Sequence, residues 1–183
     1  MDFNKNIDYN GRTLINFVNV SAAESDLILC WRNHDAIRKW MYKDHVISSE
    51  EHRKYLHGLN NAVHCSSWIV KNIEGVYLGV LALNKIDLVN RNAYLGIYAN
   101  PVDTIPGAGT VLMECLKHVA FNLFSLHSLR LEVIDTNERA ISFYKKVGFG
   151  VEGKLRDFVC KKGSWINVDI MSIINPEDKS NGI

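Results

Sequence analysis

The chain has 183 residues, of which 47% are hydrophobic and 22% are charged, and its formal net charge is +1. This length and composition predict one globular domain with a substantial core, and they exclude a wholly disordered chain. The near balance of acidic and basic residues argues against a dedicated nucleic-acid-binding protein, which usually carries a basic excess. An anionic ligand would therefore have to be held by local groups rather than by the overall charge.

No segment of the sequence predicts export or a membrane. The N-terminal residues MDFNKNIDYNGR have no apolar run of the kind found in signal peptides. The longest apolar stretch, Val76–Leu83, is shorter than the roughly 20 residues that cross a bilayer. We therefore expect a cytoplasmic protein without a membrane partner. The cysteines are widely separated and the histidines form no HExxH motif, so we expect neither a metal site nor a catalytic cysteine.

The first third of the chain predicts one strand followed by helices. Apolar and polar residues alternate at its start, which indicates a strand. Two capping-box patterns, Ser21 with Glu24 and Ser48 with Glu51, each predict the start of a helix. The predicted elements are a strand over Arg12–Val20, a helix from Ser21 to about Asn33, a short helical turn over Ala36–Met41 and a helix from Ser48 to Leu59.

The middle of the chain changes to a period of two, which is typical of strands. Ser67–Asn72 and Val76–Asn84 predict a hairpin across Glu74-Gly75. Arg91–Tyr98 predicts the next strand, which precedes a loop that contains two prolines. The sequence therefore predicts three neighbouring strands before the central loop.

The last part of the chain alternates between helices and strands. Thr110–Phe124 carries one wide apolar face, which predicts a helix, and Gly148 is suited to ending the next one. The remaining predicted elements are the strand Ser128–Ile134, the helix Asn137–Val147, an antiparallel pair formed by Val151–Cys160 and Trp165–Ile174, and a flexible polar tail over residues 175–183. The order of elements predicts an α/β or α+β fold, in which one mixed sheet is flanked by helices.

A glycine loop lies between the middle strands and the first of these helices. Glycines in Gly107-Ala108-Gly109 would allow backbone amides to approach a ligand closely, and the N-terminus of the following helix favours an anion such as a pyrophosphate. A flexible turn is the alternative interpretation. The loop is neither a Walker motif, since no GK[ST] follows, nor the dinucleotide fingerprint, since the third glycine is missing.

A second motif follows this loop. Leu131-Glu132-Val133 in a predicted strand is followed by N-x-x-A-I-x-F-Y-x-x-x-G-F over residues 137–149. Together with the glycine loop, this run resembles the GNAT family of acyl-CoA N-acyltransferases, and the resemblance extends over most of the chain. It implies a mostly antiparallel sheet that splays apart at an acetyl-CoA site. It also implies that acetyl-CoA is the co-substrate, that an amine receives the acetyl group directly, and that no metal takes part.

The resemblance also implies how the cofactor is held. In the family, the pantetheine arm pairs with a strand as an added strand would, and amides at a helix N-terminus hold the pyrophosphate. The family usually has Gln or Arg three residues before the first glycine, where this chain has Thr104, so the amides would hold the pyrophosphate without that side chain. Asn137 is also predicted to cap its helix. The implied cofactor residues are Gly96, Ile97, Tyr98, Gly107, Ala108, Gly109, Thr110, Asn137 and Phe143.

Two residues are implied to act in the chemistry. Acetyl transfer from a thioester requires a neutral amine and a group that protonates or stabilises the departing thiolate. The resemblance implies that Tyr144 is the general acid and that Glu132, twelve residues earlier, is the base or an anchor for the acceptor. The alternatives are that Tyr144 is only a packing aromatic and that Glu132 forms a structural hydrogen bond.

The N-terminal half resembles one subgroup of the family more closely, through Arg32-Asn33-His34 and Trp40-Met41-Tyr42 among others. That subgroup comprises nucleotide-sugar N-acetyltransferases of pseudaminic acid biosynthesis, which supports flagellin glycosylation. Its acceptor is UDP-4-amino-4,6-dideoxy-N-acetyl-β-L-altrosamine. Arginine can bind a diphosphate and tyrosine can stack on uracil. The implied acceptor residues are Arg32, Met41, Tyr42, His52, Tyr55 and Tyr94.

Two other functions stay open at this point. One is acetylation of a protein N-terminus, as in ribosomal-protein acetyltransferases, whose N-terminal half is also similar. The other is a CoA-binding module without catalysis, which the departure at Thr104 leaves conceivable. The sequence also leaves open whether the chain forms a homodimer.

Overall fold

One eight-stranded sheet organises the computed structural model, which describes residues 3–178. The strands lie in the order β1-β2-β3-β4-β5-β6-β8-β7, and the only parallel neighbours among them are β5 and β6. This is the mixed sheet that the sequence predicts. The strands are β1 (Ile7–Tyr9), β2 (Arg12–Asn16), β3 (Ser66–Asn72), β4 (Tyr77–Asp87), β5 (Asn92–Ala99), β6 (Ser128–Ile134), β7 (Gly150–Lys161) and β8 (Ser164–Ile174).

Two of the helices begin where the sequence places their capping boxes. Ser21 and Ser48 each accept a hydrogen bond from the backbone of the glutamate three residues later, which confirms both capping boxes. The helices are α1 (Ala22–Asn33), α2 (Asp35–Arg38), α3 (Ser49–Leu59), α4 (Ala108–Lys117) and α5 (Glu138–Lys146). None of the helices in the described residues is long and apolar enough to cross a bilayer.

Three elements differ locally from the sequence prediction. Strand β1 was not predicted, although Asn10-Gly11 is a strong signal for a tight hairpin, and both residues adopt the positive φ that such a turn needs. Strand β2 ends at Asn16 because that side chain caps a 3₁₀ turn by accepting from the Val18 amide. The predicted helix Thr110–Phe124 starts earlier, at Ala108, and continues as a π-helix over His118–Leu123.

The sheet opens between β5 and β6. These two strands pair only over Asn92–Tyr94 with Ser128–Arg130. Beyond that point β5 stays with β4 as far as Ala99, while β6 stays with β8 as far as Ile134. The two strands therefore diverge, and their facing edges beyond Tyr94 and Arg130 have no strand partner among the described residues. The splayed sheet implied by the sequence resemblance is confirmed.

Helices cover both faces of the sheet. On one face, α4 and α5 pack against a core that includes Val70, Leu81 and Leu112. On the other face, α1 and α3 pack against a core that includes Ile69 and Val80. Adjacent strand residues thus point to opposite faces, as the period of two requires. The sheet that contains the opening between β5 and β6 is therefore covered by helices on both faces.

The first residues of the predicted flexible tail form hydrogen bonds and ion pairs with the rest of the chain. The Asn175 amide donates to the His127 carbonyl at 2.8 Å. The carboxylate of Asp178 lies 2.8 Å from both the Arg91 guanidinium and the His127 ring. Residues 175–178 are therefore held against the start of β6, and the remainder of the predicted tail, residues 179–183, lies outside the described residues.

Candidate active site

The glycine loop presents two unpaired amides at the start of α4. Gly107 adopts a left-handed conformation, with φ of 80°, and forms the N-cap. The Ala108 amide donates to the Ile105 carbonyl at 3.1 Å, and the Thr110 amide donates to the Gly107 carbonyl at 2.9 Å. The amides of Gly107 and Gly109 donate to no acceptor in the described part of the chain. Two of the four predicted amides are therefore available for an anion.

Helix α5 lies directly against this loop. A Cβ atom added at Gly109 would lie 3.4 Å from Cε2 of Phe143, so the Phe143 ring covers the first turn of α4. Lys117 reinforces the contact, because its ammonium donates to the Val147 carbonyl at 2.7 Å. At the other end of α5, the Asn137 side chain accepts from the Ala140 amide at 3.3 Å, which confirms the predicted cap. The two motifs found in the sequence thus meet in space.

Tyr144 is an uncommitted proton donor on α5. Its half-buried ring packs against Phe143 and Phe149, with ring centroids 5.5 Å and 5.7 Å away. Its hydroxyl makes no hydrogen bond to any of residues 3–178. Burial raises the pKa of Tyr144 to about 12, because a phenolate loses hydration there. The hydroxyl therefore keeps its proton at neutral pH and can donate a hydrogen bond to a ligand atom.

Glu132 lies on β6, two residues beyond the point where β5 and β6 separate. Its Oε2 accepts a hydrogen bond from the Tyr42 hydroxyl at 2.7 Å, although the two residues are 90 positions apart. Burial raises the pKa of Tyr42 above its usual value, and the neighbouring Glu132 carboxylate raises it further. The structure thus brings a predicted acceptor residue into contact with the predicted base.

Lys85 completes this cluster and was not predicted. Its ammonium lies 3.7 Å from Oε1 of Glu132 and 4.4 Å from the centroid of the Tyr94 ring. A bulge in β4 between Asn84 and Asp87 directs it there, and Lys85 itself adopts a positive φ of 49°. In the sequence, the lysine looks like the polar end of an apolar strand. The cluster of Tyr42, Lys85, Tyr94 and Glu132 therefore combines three predicted residues with one that only the bulge reveals.

Arg32, on α1, is hydrogen-bonded to the segment that carries Tyr42. One of its guanidinium nitrogens donates to the Lys43 carbonyl at 3.3 Å. The other terminal nitrogen is buried and has no partner in the described residues. Burial lowers the pKa of Arg32, and the neighbouring Tyr98 acts in the opposite direction. An arginine stays charged despite such a shift, so this unpaired N–H group is a candidate contact for an anionic ligand.

The remaining predicted acceptor residues are Met41, Tyr55 and His52. Met41 is half-buried next to Tyr42. Tyr55 is exposed on α3. Burial raises the pKa of Tyr98, and the nearby Tyr55 raises it further. His52 is only 6% exposed, and its Nε2 lies 3.0 Å from the Ser25 carbonyl. Burial lowers the pKa of His52, which favours the neutral ring. The structure therefore places His52 in the contact between α3 and α1, and it makes no hydrogen bond to Tyr42 or Glu132.

These features can be compared with known proteins. Residues 20–170 match the sequence profile of the family described as the acetyltransferase (GNAT) domain. The chain belongs to the GNAT family. Membership makes it an acetyl-CoA-dependent N-acetyltransferase, as the sequence resemblance implied. Within the described residues, no three His, Cys, Asp or Glu side chains are grouped as metal ligands would be.

The chain is similar to more than one kind of acetyltransferase. Acetyltransferase PseH of Campylobacter jejuni is 30% identical over 82% of this chain and 94% of its own length. Spermidine N(1)-acetyltransferase of Escherichia coli is 28% identical over 77% of this chain and 75% of its own length. A crystal structure of spermidine N-acetyltransferase from Vibrio cholerae with CoA and spermine has a TM-score of 0.81, with 20% identity over 91% of this chain and 96% of that one. At 20% identity, the similarity to the Vibrio cholerae structure shows a shared fold.

Thr104 offers a test of how this GNAT enzyme holds the cofactor. It is exposed in the loop before Gly107, at the place where the family usually has Gln or Arg. We expect Thr104→Arg to lower the Kd of acetyl-CoA about threefold, since an exposed ion pair contributes about 0.2–1 kcal/mol. Calorimetric titration with CoA measures the change, and Thr104→Ala is the control. An unchanged Kd in the arginine variant would show that this position does not face the pyrophosphate.

Proposed function

We propose that the chain acetylates the 4-amino group of UDP-4-amino-4,6-dideoxy-N-acetyl-β-L-altrosamine, a step of pseudaminic acid biosynthesis. The similarity to PseH, which extends over 94% of that protein, supports this choice of substrate. The proposed reaction would take place in the cytoplasm, where nucleotide sugars and acetyl-CoA are found. The enzyme would then act on a small molecule and not on a nucleic acid.

The observation that carries the proposal is positive charge at the acceptor end of the site. Arg32 has a buried N–H group without a partner in the described residues, and the ammonium of Lys85 lies over Tyr94. A guanidinium is well suited to a diphosphate, because it forms charge-assisted hydrogen bonds with phosphate oxygens. These two cations favour an acceptor that brings negative charge together with its amine.

A polyamine is the second candidate acceptor. The 28% identity to spermidine N(1)-acetyltransferase favours it, and Glu132 would attract an ammonium group. A polyamine carries several positive charges at neutral pH, however, so Lys85 and Arg32 would repel it. The charge of the site therefore favours the nucleotide sugar over the polyamine.

The proposed reaction is a direct transfer between the two substrates. The neutral amine attacks the thioester carbonyl carbon, an oxyanion forms, and the carbon–sulfur bond then breaks to release the CoA thiolate. Glu132, held by Tyr42 at 2.7 Å, would bind the incoming amine and accept the proton that it loses. Tyr144 would face the cofactor sulfur and donate to it as negative charge develops.

The acidity of Tyr144 defines its part in this reaction. A thiol has a pKa of about 8.5, whereas burial raises the pKa of Tyr144 to about 12. Complete proton transfer from this phenol to a thiolate is therefore unfavourable, and a hydrogen bond to the sulfur is the stabilising interaction. The proton that finally neutralises the thiolate would come from the amine by way of Glu132 or solvent.

A comparison of acceptors tests the proposal. The enzyme is given acetyl-CoA with the amino-sugar nucleotide, with spermidine, or with a peptide that has a ribosomal-protein N-terminus, and thioester consumption is measured. We expect kcat/KM for the sugar nucleotide to exceed both others by about 100-fold or more, since an acceptor that leaves polar groups of the site unpaired is strongly rejected. A preference for spermidine or peptide would contradict the proposal.

A further inference from the structure

Lys161, at the end of β7, is a buried lysine that binds a distant segment of the chain. Its side chain is only 9% exposed. Its ammonium donates to the carbonyls of Lys39 at 2.6 Å and Met41 at 2.8 Å, and it lies 3.9 Å from the carboxylate of Asp44. Lysine is almost never buried to this extent unless its charge is matched. The contacts with three groups of one short segment therefore require an explanation.

The backbone carbonyls of the segment 39–44 need hydrogen-bond donors from other parts of the chain. It follows α2 and has no regular secondary structure, so its carbonyls are not paired along its own backbone. It carries Tyr42, whose hydroxyl donates to Glu132 at 2.7 Å. The ring of Tyr42 also meets Phe158, a second residue of β7, edge-on at 6.1 Å between centroids. Strand β7 thus holds the segment at the ring of Tyr42 and at the carbonyls on its N-terminal side.

We propose that Lys161 is a positioning residue for acetyl transfer, because it fixes the segment 39–44 on β7 and so keeps the Tyr42 hydroxyl on Glu132. Lys161 acts through Tyr42 and does not touch the reacting atoms. The proposal rests on the proposed function only in assigning Tyr42 and Glu132 to the acceptor side of the site. It does not depend on which amine is the acceptor.

Lysine has the chemistry that this position requires. An ammonium offers three donors around one atom, which matches two carbonyl oxygens and one carboxylate. Methionine has a similar length and fills the same space, but it donates nothing, so both carbonyls would lose their partner. Arginine has enough donors to replace part of the network. The two substitutions therefore separate loss of hydrogen bonding from loss of packing.

The first experiment compares binding of the two substrates in the Lys161→Met variant. We expect the KM of the acceptor to rise about tenfold, because a displaced Tyr42 side chain weakens acceptor binding. The Kd of acetyl-CoA should change less than twofold. Lys161→Arg should recover most of the loss. Lys154→Met is the matched control, since Lys154 lies on the same strand but pairs with Asp135 and Asp169 instead of the segment.

A double-mutant cycle shows whether Lys161 acts through Tyr42. If it does, Lys161→Met lowers kcat/KM for the acceptor much less in a Tyr42→Phe background than in the wild type. Equal losses in both backgrounds would overturn the proposal, because a general loss of stability does not depend on the Tyr42 hydroxyl. If the sugar nucleotide is not turned over, the proposed function fails by itself, and the cycle is measured with the acceptor that the wild type does use.

Hydrogen exchange provides a measurement that needs no acceptor. In Lys161→Met, amides of the segment 39–44 should exchange at least about tenfold faster, while those of β6 keep their protection. Unchanged exchange in the segment would overturn the proposal even if turnover falls. Should Lys161→Met not fold, Lys161→Gln keeps an amide NH₂ group that can still donate hydrogen bonds; it is measured in the same way, and a smaller increase is expected.

Discussion

Tyr144→Phe is expected to lower kcat for acetyl transfer by about 10²- to 10³-fold, the usual cost of removing one positioned hydrogen-bond donor to a developing negative charge. The substitution removes one oxygen atom and keeps the ring between Phe143 and Phe149. Because the hydroxyl makes no hydrogen bond within residues 3–178, its loss should leave the melting temperature and the Kd of acetyl-CoA nearly unchanged. Single-turnover kinetics at saturating substrates measures the chemical step directly.

The control for this variant makes the same chemical change elsewhere. Tyr9 stacks on His118 at 3.9 Å between centroids, so Tyr9→Phe removes a hydroxyl without touching α5, and its kcat should match the wild type. The pH profile supplies a second measurement. With the pKa of Tyr144 raised to about 12, ionisation of this residue should not lower kcat between pH 6 and about pH 10. If Tyr144→Phe retained full turnover, Tyr144 would have no part in the mechanism.

Glu132→Gln is expected to lower kcat/KM for the acceptor by about 100-fold, within the range for a positioned base. Glutamine keeps the size of the side chain and one carbonyl oxygen, which can still accept from the Tyr42 hydroxyl. The negative charge that faces Lys85 at 3.7 Å is lost. The substitution therefore tests the charge of the carboxylate separately from the position of Tyr42.

The division of this effect between kcat and KM distinguishes two roles for Glu132. A base that accepts the proton of the amine contributes mainly to kcat, whereas an anchor for the substrate contributes mainly to KM. Glu50→Gln is the matched control, because Glu50 pairs with Lys54 on the exposed side of α3. A wild-type value of kcat/KM in Glu132→Gln would place the acceptor elsewhere in the cleft.

Features that depend on neighbouring residues could be predicted from the sequence. The capping boxes at Ser21 and Ser48 are formed as expected, because each needs only the three residues that follow. Strand β6 has the predicted bounds, Ser128–Ile134. The family could also be recognised, since the spacing from Glu132 to Tyr144 consists of the end of β6, a short loop and about two turns of α5. Asn10-Gly11 carried a usable hairpin signal as well, although β1 was not predicted.

Contacts between distant residues could not be derived in this way. Tyr42 reaches Glu132 across 90 positions, and Lys161 reaches Met41 across 120 positions. Neither pair leaves a periodic pattern, because each depends on where the segment 39–44 lies on the finished sheet. The unpaired N–H group of Arg32 and the placement of His52 between two helices depend on the same packing.

The chemistry and the shape of this site therefore have different origins. The local sequence determines which helices, turns and strands form, because caps and turns depend on close neighbours. It also contains the motif by which the family is recognised. The tertiary structure decides which of the polar side chains face each other. It does so where β5 and β6 separate beyond Tyr94 and Arg130, and where a bulge in β4 directs Lys85 towards Glu132. Strand separation and bulges arise from pairing across the sheet, so a single strand's sequence does not contain them.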